Sequence, residues 1–305
     1  MAFVPVVPEV CSMTETVAVE GHAPSLLPSD KRWRLVFHDE FDGDALDESK
    51  WNYRLNFWGY RSPAFTTDGV EVKDGALRIH LLRRGDDFCS AHLQTGGLTF
   101  DNPRDETSRI FWPFGKRDEF KFMHRYGYYE IRCRLPRCDG WHCAFWLQSP
   151  SIGAHPNPAY AGVECDIMEN YRQHKEGKMI CGCGWDGYGA DSKWAGHFEF
   201  PHVETEDGWH TYAVDWTPEG YTFYTDGRLI GRQMAPACAV SQVEQFLLVT
   251  TECHGYNRVF GKRGEAGEAP LGHCAGSPVP ELFEATLPDF FEVDYVRVFD
   301  EDPTL

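Results

Sequence analysis

Short segments in which apolar and polar residues alternate recur along this chain from Trp33 to Phe299, spaced about ten residues apart, and helical periodicity is nearly absent. Arg34–His38, Gly69–Lys73 and Ala76–Leu82 are three such strands, and the Asp74-Gly75 pair between the last two is a hairpin turn. In Tyr128–Leu135 the alternation is complete. Tyr128, Glu130, Arg132 and Arg134 share one face, and Tyr129, Ile131, Cys133 and Leu135 the other. Thr211–Trp216, Tyr221–Thr225, Arg228–Ile230 after the Asp226-Gly227 turn, and Phe291–Phe299 continue the series. Helical patterns are confined to short stretches near Asp47–Trp51 and Val240–Phe246. A chain patterned this way buries its strands by stacking sheet on sheet, so the expected fold is all-β, a sandwich of two antiparallel sheets.

The 305 residues suffice for one large domain with a substantial core. Residues 1–30 are Pro-rich and aperiodic and read as an N-terminal arm or linker; 31–300 form the β domain and 301–305 a tail. A balance of 47 acidic against 29 basic residues gives a net charge of −18, which excludes a general grip on nucleic acid. No run approaches the roughly 18 apolar residues of a membrane span, so no membrane insertion is expected. Ala2–Cys11 is apolar, but Pro5, Pro8 and Glu9 interrupt it and no basic residue precedes it, so it is not read as a signal peptide. The 11 cysteines lack zinc-ligand spacing, with Cys181-Gly-Cys183 a lone C-x-C, and read mostly as small buried hydrophobes. The Gly- and Pro-rich stretch Tyr256–Pro288, with Arg258, Lys262 and Arg263, is too long for a plain connector and reads as a functional surface loop.

The chemistry sits in Gly162–Tyr171. Glu164 and Asp166 are two apart on an otherwise apolar strand and project from one face. Glu169 is three further on and would point to the other face unless an extra residue near Ile167–Met168 forms a β-bulge. Three acids on one face repel one another and raise at least one pKa. Glycoside hydrolysis needs that arrangement: one carboxylate attacks the anomeric carbon while another, kept protonated, donates to the leaving oxygen. An exposed acidic strand face, or a calcium site, is the plain alternative.

Glu164-Cys-Asp-Ile-Met-Glu169 resembles the E-x-D-x-x-E motif of glycoside hydrolase family 16. Leu35–Gly43, Leu46–Trp51, Val72–Leu77, Tyr126–Pro136, Gly140–Leu147, Trp209–Trp216, Phe223–Gly227 and Val293–Val298 are similar to the family's other segments, in the same order. The resemblance thus spans residues 33–299. It implies a β-jelly-roll with a concave substrate cleft, and a retaining endo-acting glycoside hydrolase with Glu164 as nucleophile, Glu169 as general acid/base and Asp166 assisting. The six-residue form resembles the branch that holds laminarinases, agarases, porphyranases and carrageenases. The implied partner is a polysaccharide, β-1,3-glucan or an algal galactan such as agar, porphyran or carrageenan. The implied setting is extracellular or periplasmic, with the chain acting as a monomer. No cofactor is required for catalysis; a structural calcium near Glu40, Gly75 and Asp294 is implied.

Sugar rings stack their C–H faces on aromatic side chains and give their hydroxyls to polar groups. Trp141 and Trp146 resemble the family's sugar-stacking tryptophans, with core packing as the alternative. Asn56, Trp58, Trp185 and Glu252 are further substrate-binding candidates, whereas Trp51, Trp209 and Trp216 read as packing residues. Two departures stand out. Relatives often have His-Trp-Asp-Gly-Tyr where this chain has Gly184-Trp-Asp-Gly-Tyr188, which removes a cleft histidine. His142 replaces the usual proline after Trp141 and brings a polar group to the cleft. The acidic total leans away from sulfated polymers, although Arg61, Arg83, Arg84, Arg109 and Arg125 could together form a local anion site. A non-catalytic carbohydrate-binding jelly roll would keep aromatic residues without needing both glutamates, and a transglycosylase would differ only in its acceptor.

Overall fold

The alternating segments pair into two large antiparallel sheets in a computed structural model, which describes residues 13–17, 19–54, 56–57, 60–61, 64–97, 102–103, 111–112, 119–171, 178–187, 192–203, 205–259 and 273–302. One sheet has seven strands, in spatial order Lys193–Pro201, Lys178–Trp185, Glu164–Tyr171, Trp141–Gln148, Phe246–Cys253, His92–Gln94 and Asn52–Tyr53. The other has eight: Arg228–Met234, Gly220–Thr225, His210–Thr217, Gly127–Arg134, Phe290–Glu301, Ala76–His80 and Val70–Lys73, with Trp33–Asp39 also paired to Phe290–Glu301. This is the expected all-β jelly-roll sandwich. The only helices among the described residues are two single turns, Pro158–Ala161 and Pro280–Phe283. Neither stretch with a helical pattern becomes a helix; 240–245 is irregular and leads into a strand at Phe246.

Period-two alternation decides what fills the space between the sheets. Tyr129, Ile131 and Cys133 from the eight-stranded sheet meet Cys143, Phe145, Leu147, Leu247 and Val249 from the seven-stranded one, all buried. Tyr128, on the opposite face of its strand, joins Leu27, Trp33, Tyr224 and Phe299 in a separate cluster outside that sheet. Truncating a core side chain of this kind to Ala costs about 2–5 kcal/mol. Both Asp-Gly pairs make the turns their sequence calls for. Asp74 and Gly75 (φ 56° and 71°), like Asp226 and Gly227 (φ 48° and 70°), have positive φ at both central positions, as a two-residue type I′ hairpin demands.

The boundary drawn at residue 30 needs correction. Met13–Val17 pairs with Ser25–Pro28, and Leu27 and Ser25 are fully buried. The Leu26-Leu27 pair gives this segment enough apolar surface to dock, so the packed domain begins well before residue 31. Nine cysteines are described; all carry free thiols, eight of them buried, as their reading as small hydrophobes requires. Among the described residues no helix is long and apolar enough to cross a membrane.

Candidate active site

The strand Glu164–Tyr171 carries the bulge its residue count demands. On one side Trp146 faces Asp166 but Phe145 faces Met168; on the other Gly182 faces Asp166 while Ile180 faces Glu169. Ile167 and Met168 therefore both turn into the inter-sheet core with Cys165. Glu164, Asp166 and Glu169 are left together on the outer face of the seven-stranded sheet. Asp166 is 4% exposed and Glu169 8%. Burial, then the charges of Glu169 and Glu164, push the Asp166 carboxyl well above the usual carboxylate range. It keeps its proton where an ordinary Asp would not, and can donate it in a hydrogen bond.

Beside them, His142 projects from the adjacent strand onto the same face. Its Nε2 is 3.2 Å from Glu169 Oε1 and its Nδ1 3.7 Å from Glu252 Oε2, with the His254 ring stacked 6.0 Å away. Burial of the ring opposes a charge, but the two glutamates outweigh it and His142 is pushed up to about 9. Glu252 thus lies on the site's face and is tied to Glu169 through His142. His92, on the same sheet, is pushed by burial down to about 3 and stays neutral despite Glu252.

The tryptophans divide by strand parity. Trp146 lies on the outer face with Ala144, Phe246 and Leu248, its Nε1 donating to Thr250 Oγ1 at 3.0 Å. It is only 7% exposed. Trp141 corrects the expectation of a platform: five residues earlier on a regular strand it points the other way, into the inter-sheet core, and is fully buried. Trp185 is half-buried. It follows Cys181 and Cys183 on the inward face and packs against the core rim. Trp51 and Trp216 are core residues, and Trp209 lies under Arg132 and Arg134, as packing residues should. Trp58 lies outside the described residues; of Asn56 only the backbone pairing with Arg61 is described. The 260–272 part of the long loop also lies outside them. Of the five arginines considered for an anion site, Arg109 and the Arg61 side chain lie outside the described residues, while Arg84 pairs with Asp68, Arg83 lies over Phe88 and Phe283, and Arg125 over Tyr126.

Glu40, Gly75 and Asp294 do come together on the far sheet, but around the His22 ring. His22 donates from Nδ1 to Asp294 and from Nε2 to Asp42, each at 2.9 Å, and a Cβ on Gly75 would stand 3.6 Å from His22 Cε1. Arg297 clamps both Glu40 oxygens at 2.9 and 2.7 Å, and Arg132 takes the other Asp294 oxygen at 2.5 Å. A calcium ion needs six to eight oxygen ligands at about 2.3–2.6 Å. Here the carboxylates are occupied by three cationic side chains, so the residues do not fit a calcium ion.

A strand that gathers three carboxylates on the open face of a jelly roll is an arrangement that glycoside hydrolysis uses. Residues 94–240 match the family model of Glycosyl hydrolases family 16. The matched segment, just under half of the chain, is similar to that family. The chain is 26% identical over 301 residues to Glucan endo-1,3-beta-glucosidase A1 of Niallia circulans, covering 90% of this chain but 39% of that protein. It is 26% identical over 233 residues to Beta-glucanase of Rhodothermus marinus, covering 68% of this chain and 70% of that protein. The catalytic domain of an endo-1,3-beta-glucanase (laminarinase) from Thermotoga petrophila has the same fold, with a TM-score of 0.60 at 20% identity over 89% of this chain and 99% of that one.

Proposed function

We propose that this protein is an endo-acting, retaining hydrolase of β-1,3-glucan, with Glu164 as nucleophile, Glu169 as general acid/base and Asp166 as the group that hydrogen-bonds the nucleophile. The bulge at Ile167–Met168 carries this reading, because it alone sets Glu169 beside the other two carboxylates. In the first step Glu164 attacks the anomeric carbon while Glu169 protonates the departing glycosidic oxygen. In the second, Glu169 takes a proton from water, which displaces Glu164, and two inversions restore the anomeric configuration. A protonated Asp166 offsets the charge on Glu164 before attack and steadies it as a leaving group afterwards.

Neutral glucan is favoured over sulfated galactan by the net charge of −18 and by described arginines that are engaged elsewhere. The names of two relatives, Glucan endo-1,3-beta-glucosidase A1 and Beta-glucanase, point the same way, while those of two others, Beta-porphyranase E and D, point to a galactan. A polysaccharide substrate fits an extracellular or periplasmic place of action and a monomer. The test is reducing-end release from laminarin, mixed-linkage glucan, agarose, porphyran and carrageenan, with Glu164→Ala as control. Release from laminarin that the variant lacks supports the reading. Binding without release by the wild type would make the protein a carbohydrate-binding module instead.

A further inference from the structure

Beyond the carboxylate strand, the next strand, Lys178–Trp185, has no side chain where two would be expected. Glu164 pairs with Gly184 and Asp166 with Gly182, so both glycines lie on the carboxylate face. One strand further out, Gly184 pairs with Trp194 and Gly182 with His197. The two outer rings lean inward over the gaps. A Cβ on Gly184 would stand 2.7–2.8 Å from the Cε2, Cδ2 and Cζ2 atoms of Trp194, so the indole lies flat over the glycine backbone. A Cβ on Gly182 would be 3.2 Å from His197 Cδ2. An imidazole nitrogen of His197 and carboxylate oxygens of Asp166 and Glu169 all lie within 4.8 Å of one another.

The arrangement is held by a bulge at Ala195–Gly196, where three outer-strand steps span two on the inner strand and Gly196 has φ 92°. Gln233 reaches into the gap from the other sheet, accepting from the Cys183 N–H at 2.8 Å and donating to the Gly196 carbonyl at 2.7 Å. Trp194 remains 40% exposed and His197 exposed, although Ala195, Phe198 and Phe200 of the same strand pack on the core. The indole thus keeps an accessible surface beside the carboxylate strand, with the His197 ring 4.8 Å from it.

We propose that Trp194 and His197 form a pyranose-binding subsite flanking the nucleophile, an inference that rests on the hydrolase reading above. The accessible face of the indole stacks the C–H face of a β-linked hexopyranose, and the imidazole of His197 hydrogen-bonds one hydroxyl of that sugar at the edge of the carboxylates. Gly184 is the enabling residue: any side chain there would displace the platform. The histidine absent from position 184 is thereby traded for a tryptophan and a histidine supplied by the next strand.

Calorimetry tests this on the Glu164→Gln protein, with hexamers of β-1,3-linked glucose and of agar-type galactan as probes. Adding Trp194→Ala is expected to weaken binding of the preferred hexamer about tenfold or more, because an aromatic stacking contact is lost. Trp194→Phe should recover part of the loss, and Gly184→Ala should weaken binding without removing any group that touches sugar. In the active enzyme, Trp194→Ala should raise KM more than it lowers kcat. Affinity within twofold of the parent for Trp194→Ala, in a variant that melts normally, overturns the subsite even if the wild type cleaves laminarin. Wild-type protein that cleaves nothing, while Trp194→Ala still weakens hexamer binding, overturns the hydrolase reading and keeps the subsite. Absence of binding to either hexamer overturns both.

Discussion

His142 Nε2 stands 3.2 Å from Oε1 of Glu169, a buried cation in contact with a buried carboxylate. With its pKa raised from 6.5 to about 9, His142 binds a proton more tightly in the folded chain than in the unfolded one. Its stabilising contribution is complete below pH 6.5 and is lost as the pH rises through about 9. His142→Gln should lower Tm by several degrees at pH 6, since removing one member of a buried pair costs about 3–5 kcal/mol. The gap to wild type should shrink at pH 9.5. A gap that is equal at both pH values would rule out a charged His142.

Asp166 presents the opposite balance. Its folded pKa is raised, so the folded chain loses stability as the pH climbs above the ordinary value of 3.8 towards the higher one. Asp166→Asn removes that loss and should raise Tm at pH 7 by about 2 °C, equivalent to on the order of 1 kcal/mol. Reducing-end release should fall about a hundredfold, as expected when a carboxyl that can release its proton is replaced by an amide that cannot. A variant with normal activity would remove Asp166 from the mechanism.

His22 should make the fold indifferent to calcium. Melting in EDTA and in millimolar calcium is expected to give the same Tm for the wild type. His22→Ala should be less stable by on the order of 1–2 kcal/mol, the worth of a charge-assisted hydrogen bond. Its contacts with Asp294 and Asp42 raise the His22 pKa against the effect of burial, so this contribution is full below pH 6.5 and fades above it. A calcium-dependent rise in wild-type Tm would return the site to a metal.

Deleting Met168 would turn the bulged strand into a regular one. Ile167 would then face Phe145, and the following glutamate would keep its place opposite Ala144 and Ile180. The deletion loses one fully buried side chain, about 2–3 kcal/mol, and hydrolysis should persist at a reduced rate. Complete inactivity in a deletion protein that still melts cooperatively would mean that the bulge sets the aim of Glu169 as well as its face.

Much of this was legible because strands obey a simple parity. The alternation through Tyr128–Leu135 fixed its two faces, and the two residues between Asp166 and Glu169 left a bulge as the way to unite them. The same parity could have separated Trp141 from Trp146, which are five apart and fall on opposite faces. Resemblance to sugar-binding tryptophans outweighed it. His22 and Asp294 are 272 residues apart, and no local pattern foretells that a ring from one would meet the carboxylate of the other. Trp194 and His197 were hidden for a different reason: their positions depend on absent side chains at Gly182 and Gly184 and on a bulge with no periodic trace.

The strand Phe290–Glu301 has a consequence for how the molecule comes into being. It lies in the interior of the eight-stranded sheet, between Gly127–Arg134 on one side and Trp33–Asp39 with Ala76–His80 on the other. It also follows every one of these partners in the chain. A nascent polypeptide emerging from the ribosome therefore carries two halves of a sheet with open edges until residue 301 is free, and cannot close them by itself. Stalled or truncated chains should be sticky and protease-sensitive, and the last segment to arrive completes the sheet as a keystone completes an arch.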